Sequence, residues 1–153
     1  MQHAPELKFF ATLQVEVAVP QEIGHTLHGE RRIIPILGGK VTGEGWQGKV
    51  LGGGADYQVI VSPRMTHLDA RYAIETDQGE RIYIHNDAIR VASEDVTQKI
   101  KNGEVVDPKD VYFRCVPKFE TSAERFQWIT ERVFIGVGVR KPDLVEVTLF
   151  EVC

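Results

Sequence analysis

The stretch DARYAIETDQGERIYIHN, Asp69 to Asn86, reads as two strands joined at TDQGE, with Gly79 in the turn. Side chains alternate across a pleated strand. Asp69, Arg71, Ala73 and Glu75 therefore share one face, and Ala70, Tyr72, Ile74 and Thr76 the other. The second arm sets Arg81, Tyr83 and His85 against Ile82, Ile84 and Asn86. The same signature recurs along the chain. In LKFFATLQVEV, Leu7, Phe9, Ala11, Leu13, Val15 and Val17 fall on one face, with Phe10 out of step. RIIPILGGKV, GWQGKV, DYQVIV, VYFRCVPKF, VFIGVGVR and LVEVTLFEV follow, for about nine strands at close spacing. That spacing predicts an all-β barrel or sandwich. Glycines near the strand ends suit the coiling of a small closed barrel, and Pro35 marks an edge or a bulge.

Two segments break the pattern and predict short helices. SEDVTQKIKNG offers Ser93 as N-cap, Glu94 and Asp95 in the first turn, Lys99 and Lys101 in the last, and Asn102-Gly103 as the stop. TSAERFQWI opens like a capping box, Thr121 with Glu124, and carries Phe126, Trp128 and Ile129 on its apolar side. Such a helix would close one end of a barrel or pack on its wall.

The bulk numbers narrow the function classes. The chain has 153 residues, enough for one domain (residues 1–153) with a sizeable core. Its net charge of -4 provides no basic field for nucleic acid or an anionic membrane. No apolar run is long enough to span a bilayer, and MQHAPELKFF has no secretory pattern. The two cysteines, Cys115 and Cys153, form neither a disulfide framework nor a zinc spacing. A cytoplasmic protein with free thiols is the expectation. His25 and His28 in HTLH have no acidic or cysteine companion and read as surface residues; no metal site is expected. LGGGAD lacks the Lys-Ser/Thr and the helix of a phosphate loop, so it reads as a turn.

The informative residues are polar ones inside strands. YFRCVPKFET places Tyr112, Arg114, Val116 and Lys118 opposite Phe113, Cys115, Pro117 and Phe119. If the polar faces of these strands point outward, they are solvated. If inward, their charges must be paired or must hold a ligand. Alternation alone leaves both open.

Three blocks carry a resemblance: GERRIIPILGGKVTGEGWQGKVLGGGADYQ (Gly29–Gln58), LDARYAIETDQGERIYIHN (Leu68–Asn86) and GEVVDPKDVYFRCVPKFET (Gly103–Thr121). In this order they resemble a family of small bacterial and fungal proteins catalogued as a domain of unknown function, number thirty-two thirty-seven. The likeness runs from about Leu7 to Val152. It implies a closed antiparallel β-barrel, similar in outline to allene oxide cyclase, dirigent and lipocalin barrels, which hold small, mostly apolar molecules. It also implies a homo-oligomer, a dimer first. The family's recurrent polar positions match Arg31 or Arg32, Asp56, Asp69, Arg71, Tyr72, Asn86, Arg114, Glu120 and Trp128 here. This chain departs from the family at Asp87-Ala88, where a glycine is usual, implying a different turn at a cavity rim. It departs again at Trp128-Ile129-Thr130, where Trp-Leu-Asn is usual.

Together these observations predict a small-molecule-binding β-barrel without a cofactor, with acid/base chemistry (isomerase, cyclase, hydratase or lyase) on a small aromatic or polyketide-like carbonyl, carboxylate or phenol. Arg71 and Arg114 would hold an anionic oxygen. Asp56, or else Asp69 or Glu120, would move a proton, and Tyr72 or Tyr112 would donate to an oxyanion. Arg31, Asn86 and Trp128 complete the expected binding set. A non-catalytic carrier and a fully packed structural barrel are the alternatives.

Overall fold

The alternating segments become strands that wrap into a ring. The computed structural model describes residues 2–153. The order is β1 (Leu7–Val17), β2 (Gln21–Thr26), β3 (Gly29–Gly43), β4 (Gln47–Val50), β5 (Ala55–Ile60), β6 (Met65–Thr76), β7 (Arg81–Ala92), α1 (Glu94–Lys101), β8 (Val111–Thr121), β9 (Val133–Arg140) and β10 (Leu144–Val152). Short 3-10 segments lie at Pro108–Asp110 and Glu124–Glu131.

All pairings are antiparallel, and β1 pairs with both β10 and β3, which closes the sheet. β4 and β5 occupy one slot in turn, each between β3 and β6. The result is a closed eight-stranded barrel with two more strands outside the ring. Closure removes the long unpaired edges that an open sheet of this size would expose.

The tenth strand, β2, was not expected. GHT in the segment QEIGHT offers no apolar alternation, yet the segment pairs with β3 from Gln21↔Ile33 to Thr26↔Gly29. His25 therefore sits in a strand rather than a loop, and His28 in the turn that follows. Pro35 stands where the neighbour of β3 changes from β1 to β2, a break in the ladder that has no use for its missing N–H.

Two local devices set the core. The β1–β10 register shifts between Phe9 and Ala11. That bulge turns Phe10 inward beside Ala11, Leu13, Val15 and Val17, and leaves Leu7 and Phe9 outside. On β9 the inward positions are Phe134, Gly136, Gly138 and Arg140. A Cβ on Gly136 would lie 2.6 Å from Cys115 Sγ, and one on Gly138 would lie 2.7 Å from the Phe113 ring. The missing side chains let β9 close against β8, with which its ladder has only two pairs, Arg114↔Val137 and Cys115↔Gly136.

The first helix forms as expected: the Ser93 hydroxyl accepts from the Val96 amide at 3.2 Å, and Gly103 stops it at φ +78°. The second is corrected. It is a 3-10 segment, and its cap position Ala123 makes no side-chain hydrogen bond. Thr121 instead accepts from the Ala123 amide and donates to the Arg81 carbonyl at 2.7 Å, holding the strand end.

That segment closes one end of the barrel. Phe126 and Ile129 are buried, and the Phe10, Phe119 and Phe134 rings stack beneath them, with Phe10–Phe134 and Phe119–Phe134 centroids 5.0 Å apart. Among the described residues no helix is long and apolar enough to cross a membrane.

Gly138→Ala should lower stability by about 1–3 kcal/mol, because the new methyl meets the face of Phe113 in a packed core. Chemical denaturation checks it, and Phe113→Leu on that background should restore part of the loss.

Candidate functional site

The half of the barrel away from the aromatic plug contains a cavity of about 50 Å³. Its wall is largely aliphatic, from Val15, Ile34, Ile36 and Val147. Six polar side chains face it: Asp56, Gln58, Tyr72, Asn86, Arg90 and Arg140. They come from β5, β6, β7 and β9.

Asp56 is held at both carboxylate oxygens. Gln58 Nε2 donates to Oδ2 at 2.8 Å, and the Asp69 amide donates to Oδ1 at 3.1 Å. Burial nonetheless lifts its pKa above the usual carboxylate value, against the downward pull of the Gln58 bond, the Arg90 charge and the Asp69 amide. Burial also pushes the Tyr72 phenol well above its ordinary value, so Tyr72 stays protonated, able to donate a hydrogen bond and not to act as a base.

Arg90 is 5% exposed, and its Nη1 has no hydrogen-bond partner. Burial brings its pKa down to about 10, with the Asp56 charge acting the other way, so it remains a cation at neutral pH. Its guanidinium lies 5.9 Å from the centroid of the Phe113 ring. Arg32, 4% exposed, stands near enough to depress both Arg90 and Arg140. Its Nε is 3.1 Å from Glu22 Oε1 at the rim, but is too poorly aligned to count as hydrogen-bonded. Arg140, lowered first by burial and then by Arg32, donates from Nη1 to the Lys141 carbonyl at 2.6 Å.

Of the residues expected at the site, Asp56, Tyr72 and Asn86 line this cavity. The expectation that Arg71 and Arg114 converge there is corrected. Both lie on the outer face, because Tyr72 and Phe113 take the inward positions beside them. Arg71 holds Asp69 from 3.2 Å, with half its side chain in solvent. Asp69 also takes His85 Nε2 at 2.8 Å; burial raises its pKa, but these two partners bring it below the usual range. Arg114 is exposed, its guanidinium 4.8 Å from the centroid of the Tyr112 ring and its Nη1 donating to the Phe113 carbonyl. Tyr112 is exposed with it. Glu120 is exposed opposite Tyr83, away from Arg114. Arg31 points outward and Arg32 inward. Trp128 belongs to the other end, against Phe10 and Phe134. The turn expected after Asn86 is also corrected: β7 runs on to Ala92, so Ala88 is a piece of lumenal wall.

Gln58, Arg90 and Arg140 are not among the expected site residues, and of the pair Arg31 or Arg32 it is Arg32 that turns inward. Each obeys the alternation already in hand: Gln58 two residues after Asp56, and Arg90 on the face of Ile84, Asn86 and Ala88. The signal for Arg90 was present once the strand was allowed to continue.

One group of described residues has ligand atoms close enough for a metal ion. Asp69, His85 and Asp87, on the outer wall, bring theirs within 4.8 Å of one another. Arg71 already donates to both oxygens of Asp69, at 3.2 and 3.3 Å, so a cation there would have to displace a guanidinium. The cavity itself offers guanidinium donors, unsuited to a metal ion.

The fold defines a closed antiparallel β-barrel, with a buried acid and guanidiniums facing a small lumen. The chain belongs to the family described as "Protein of unknown function (DUF3237)", whose model matches residues 5–152. It is 44% identical over 147 residues to a UPF0311 protein of Rhodopseudomonas palustris (strain TIE-1), with 96% of each chain covered. The crystal structure of the conserved protein of unknown function RPA1785 from Rhodopseudomonas palustris superposes with a TM-score of 0.94 at 39% identity, over 99% of this chain and 100% of that one. More distantly, the crystal structure of an enzyme from Penicillium herquei matches with a TM-score of 0.74 at 15% identity, over 100% and 98% of the two chains. That last likeness concerns the fold alone.

Asp56 gives a pH signature of known sign. Its folded value is raised, so the protonated form is the one the fold favours. The stability it contributes is present below its unfolded value of about 3.8 and is lost as pH rises through the folded value. Asp56→Asn stays neutral throughout. The stability of wild type minus that of Asp56→Asn should fall as pH rises from below 3.8 toward neutrality. Denaturation curves of the two proteins across that range check it, since other titrating groups cancel in the difference.

Proposed function

We propose that the barrel binds a small carbonyl-, carboxylate- or phenol-bearing molecule in its lumen and moves a proton on it without a cofactor. Asp56 is the general acid/base. The reaction class is isomerisation, cyclisation, hydration or elimination, which need only positioning and proton transfer in a dry chamber. One observation carries this reading: a carboxylate whose pKa is raised by burial faces a cavity instead of closing an ion pair. A purely structural acid at this depth would be expected in direct contact with an arginine.

Tyr72 supports the assignment. Its phenol is kept protonated beside Asp56, in position to donate to a developing oxyanion. The aliphatic wall excludes water and favours an apolar body on the ligand. The size of the cavity limits the part of the ligand that is fully enclosed, so a larger aromatic compound would keep much of its skeleton at the mouth.

The test is solvent-deuterium uptake at the carbon next to the carbonyl in a set of small aryl ketones and 3-oxo esters, followed by proton NMR. Wild type should accelerate exchange. Asp56→Asn should slow it by about 10²–10⁴-fold while the compound still raises the melting temperature. Stabilisation without exchange by wild type would make the protein a carrier.

A further inference from the structure

Among the described residues, four buried side-chain polar atoms have no hydrogen-bond partner: Arg32 Nε, Gln58 Oε1, Asn86 Oδ1 and Arg90 Nη1. Buried polar atoms in a folded chain are nearly always satisfied, so each orphan asks for an explanation. These four share one location. Gln58, Asn86 and Arg90 line the lumenal cavity, and Arg32 stands beside Arg90 and Arg140. They also divide by chemistry. Arg90 Nη1 is a guanidinium donor with no acceptor, Arg32 Nε has only the poorly aligned Glu22 carboxylate, and the other two are amide oxygens that lack a donor.

We infer that the lumen is a binding site for a small hydroxy-carboxylate, its anion against Arg90 and Arg140 and its hydroxyl against Gln58 and Asn86. The inference rests on the lumenal reading above and deepens it by naming the ligand class. The orientation of Gln58 is fixed by its own bond: Nε2 donates to Asp56 Oδ2 at 2.8 Å, which turns Oε1 away as a free acceptor. An acceptor oxygen cannot recognise a carboxylate, and a guanidinium cannot accept from a hydroxyl. A ligand satisfying both halves must carry an anionic acceptor and a hydrogen-bond donor, and a carboxylate with a hydroxyl is a compact pair of that kind.

Charge agrees. Asp56 is the one carboxylate lining the cavity, and it faces Arg90 and Arg140 with Arg32 behind them. Glu22 at the rim answers Arg32, and Asp143 lies near enough to act on Arg140. Arg90 has the Asp56 charge and the Phe113 ring, and a buried Nη1 aimed at nothing. An incoming carboxylate supplies what Arg90 lacks, and a guanidinium fork suits its two oxygens. Size agrees too. About 50 Å³ holds a few water-sized positions, enough for a carboxylate and one or two substituted carbons. Water can occupy such a chamber in the resting protein, and the ligand would replace it.

The experiment is a thermal-shift and calorimetric titration in chloride-free buffer. The probes are lactate and 3-hydroxybutanoate. Propanoate and butanoate lack the hydroxyl; lactamide and 3-hydroxybutanamide lack the charge. At least one hydroxy acid should bind, with its hydroxyl-free analogue and its amide each about tenfold weaker or more. Arg90→Met should abolish the binding without lowering the melting temperature of the free protein, because an apolar residue replaces a buried charge that closes no contact ion pair. Arg140→Gln, at a half-buried position, should weaken hydroxylated and plain acids alike.

Amides that bind as well as acids would overturn the inference. So would acids indifferent to the hydroxyl, or binding retained in Arg90→Met. If Arg90→Met does not fold, unchanged binding in Arg140→Gln overturns it in the same way. These probes need no turnover, so their failure leaves the deuterium-exchange result standing, and failed exchange leaves the anion site standing.

Discussion

A guanidinium in an aliphatic chamber is held there at a cost, and the arrangement of the lumen follows from how Arg90 is accommodated. Its burial lowers its own pKa, and Asp56 answers from β5 without closing a contact pair. Asp56 is in turn tied to β6 through the Asp69 amide and to its own strand through Gln58. The two charges therefore come from strands on either side of β6, and β6 also contributes the Tyr72 phenol to the lumen. Buried pairs of this kind are poor sources of stability compared with apolar residues of the same volume. Apolar residues such as Leu68, Ala70 and Ala88 fill other inward positions of the same wall, so stability alone does not explain the polar set.

The other half of the barrel supplies the stability that such a set requires. Phe10, Phe119, Phe126 and Phe134 interlock with Trp46 and Trp128 at the closed end, with ring centroids 5.0 to 6.0 Å apart. Gly136 and Gly138 draw β9 inward until Phe113 and Cys115 fill the space that side chains would take. Cys115 is a packed thiol there, its pKa raised to about 11 by burial despite a bond from Asn86. Packing is thus graded along the barrel axis, dense at the aromatic plug and incomplete where the arginines converge.

Alternation made the strands legible, and most boundaries in the sequence match those of the fold: Leu7–Val17, Val133–Arg140 and Leu144–Val152 are identical. It did not say which face is inner, because charged and apolar residues alternate on the same strands. The weight given to Arg71 and Arg114 came from their strand setting and not from any sign of burial. Inward parity was readable locally: Tyr72, Ile74 and Thr76 on β6, and Phe113, Cys115 and Phe119 on β8, are the larger apolar sets, and they took the lumen. Arg90 was missed for a different reason. Ending the strand at Asn86 placed it in a supposed turn, where an arginine reads as solvated. β2 was missed because its pairing with β3 depends on a hairpin at Thr26–Gly29 and not on any pattern of its own. The bulge at Phe10 was visible only as a break in phase.

The lumenal acid and the lumenal cations are linked beyond their shared location. A carboxylate bound by Arg90 and Arg140 brings negative charge close to Asp56 and occupies the guanidinium that holds its pKa down. Both effects raise the Asp56 pKa further, because a like charge disfavours ionisation and a neutralised cation no longer favours it. By linkage, binding such a ligand takes up a proton at Asp56. The bound state would then present a protonated carboxyl, and a phenol already protonated by burial, to a carboxylate and a hydroxyl fixed beside them. Under the proposed function, a carboxyl protonated in this way would act as the general acid that gives a proton to an oxygen of the bound ligand.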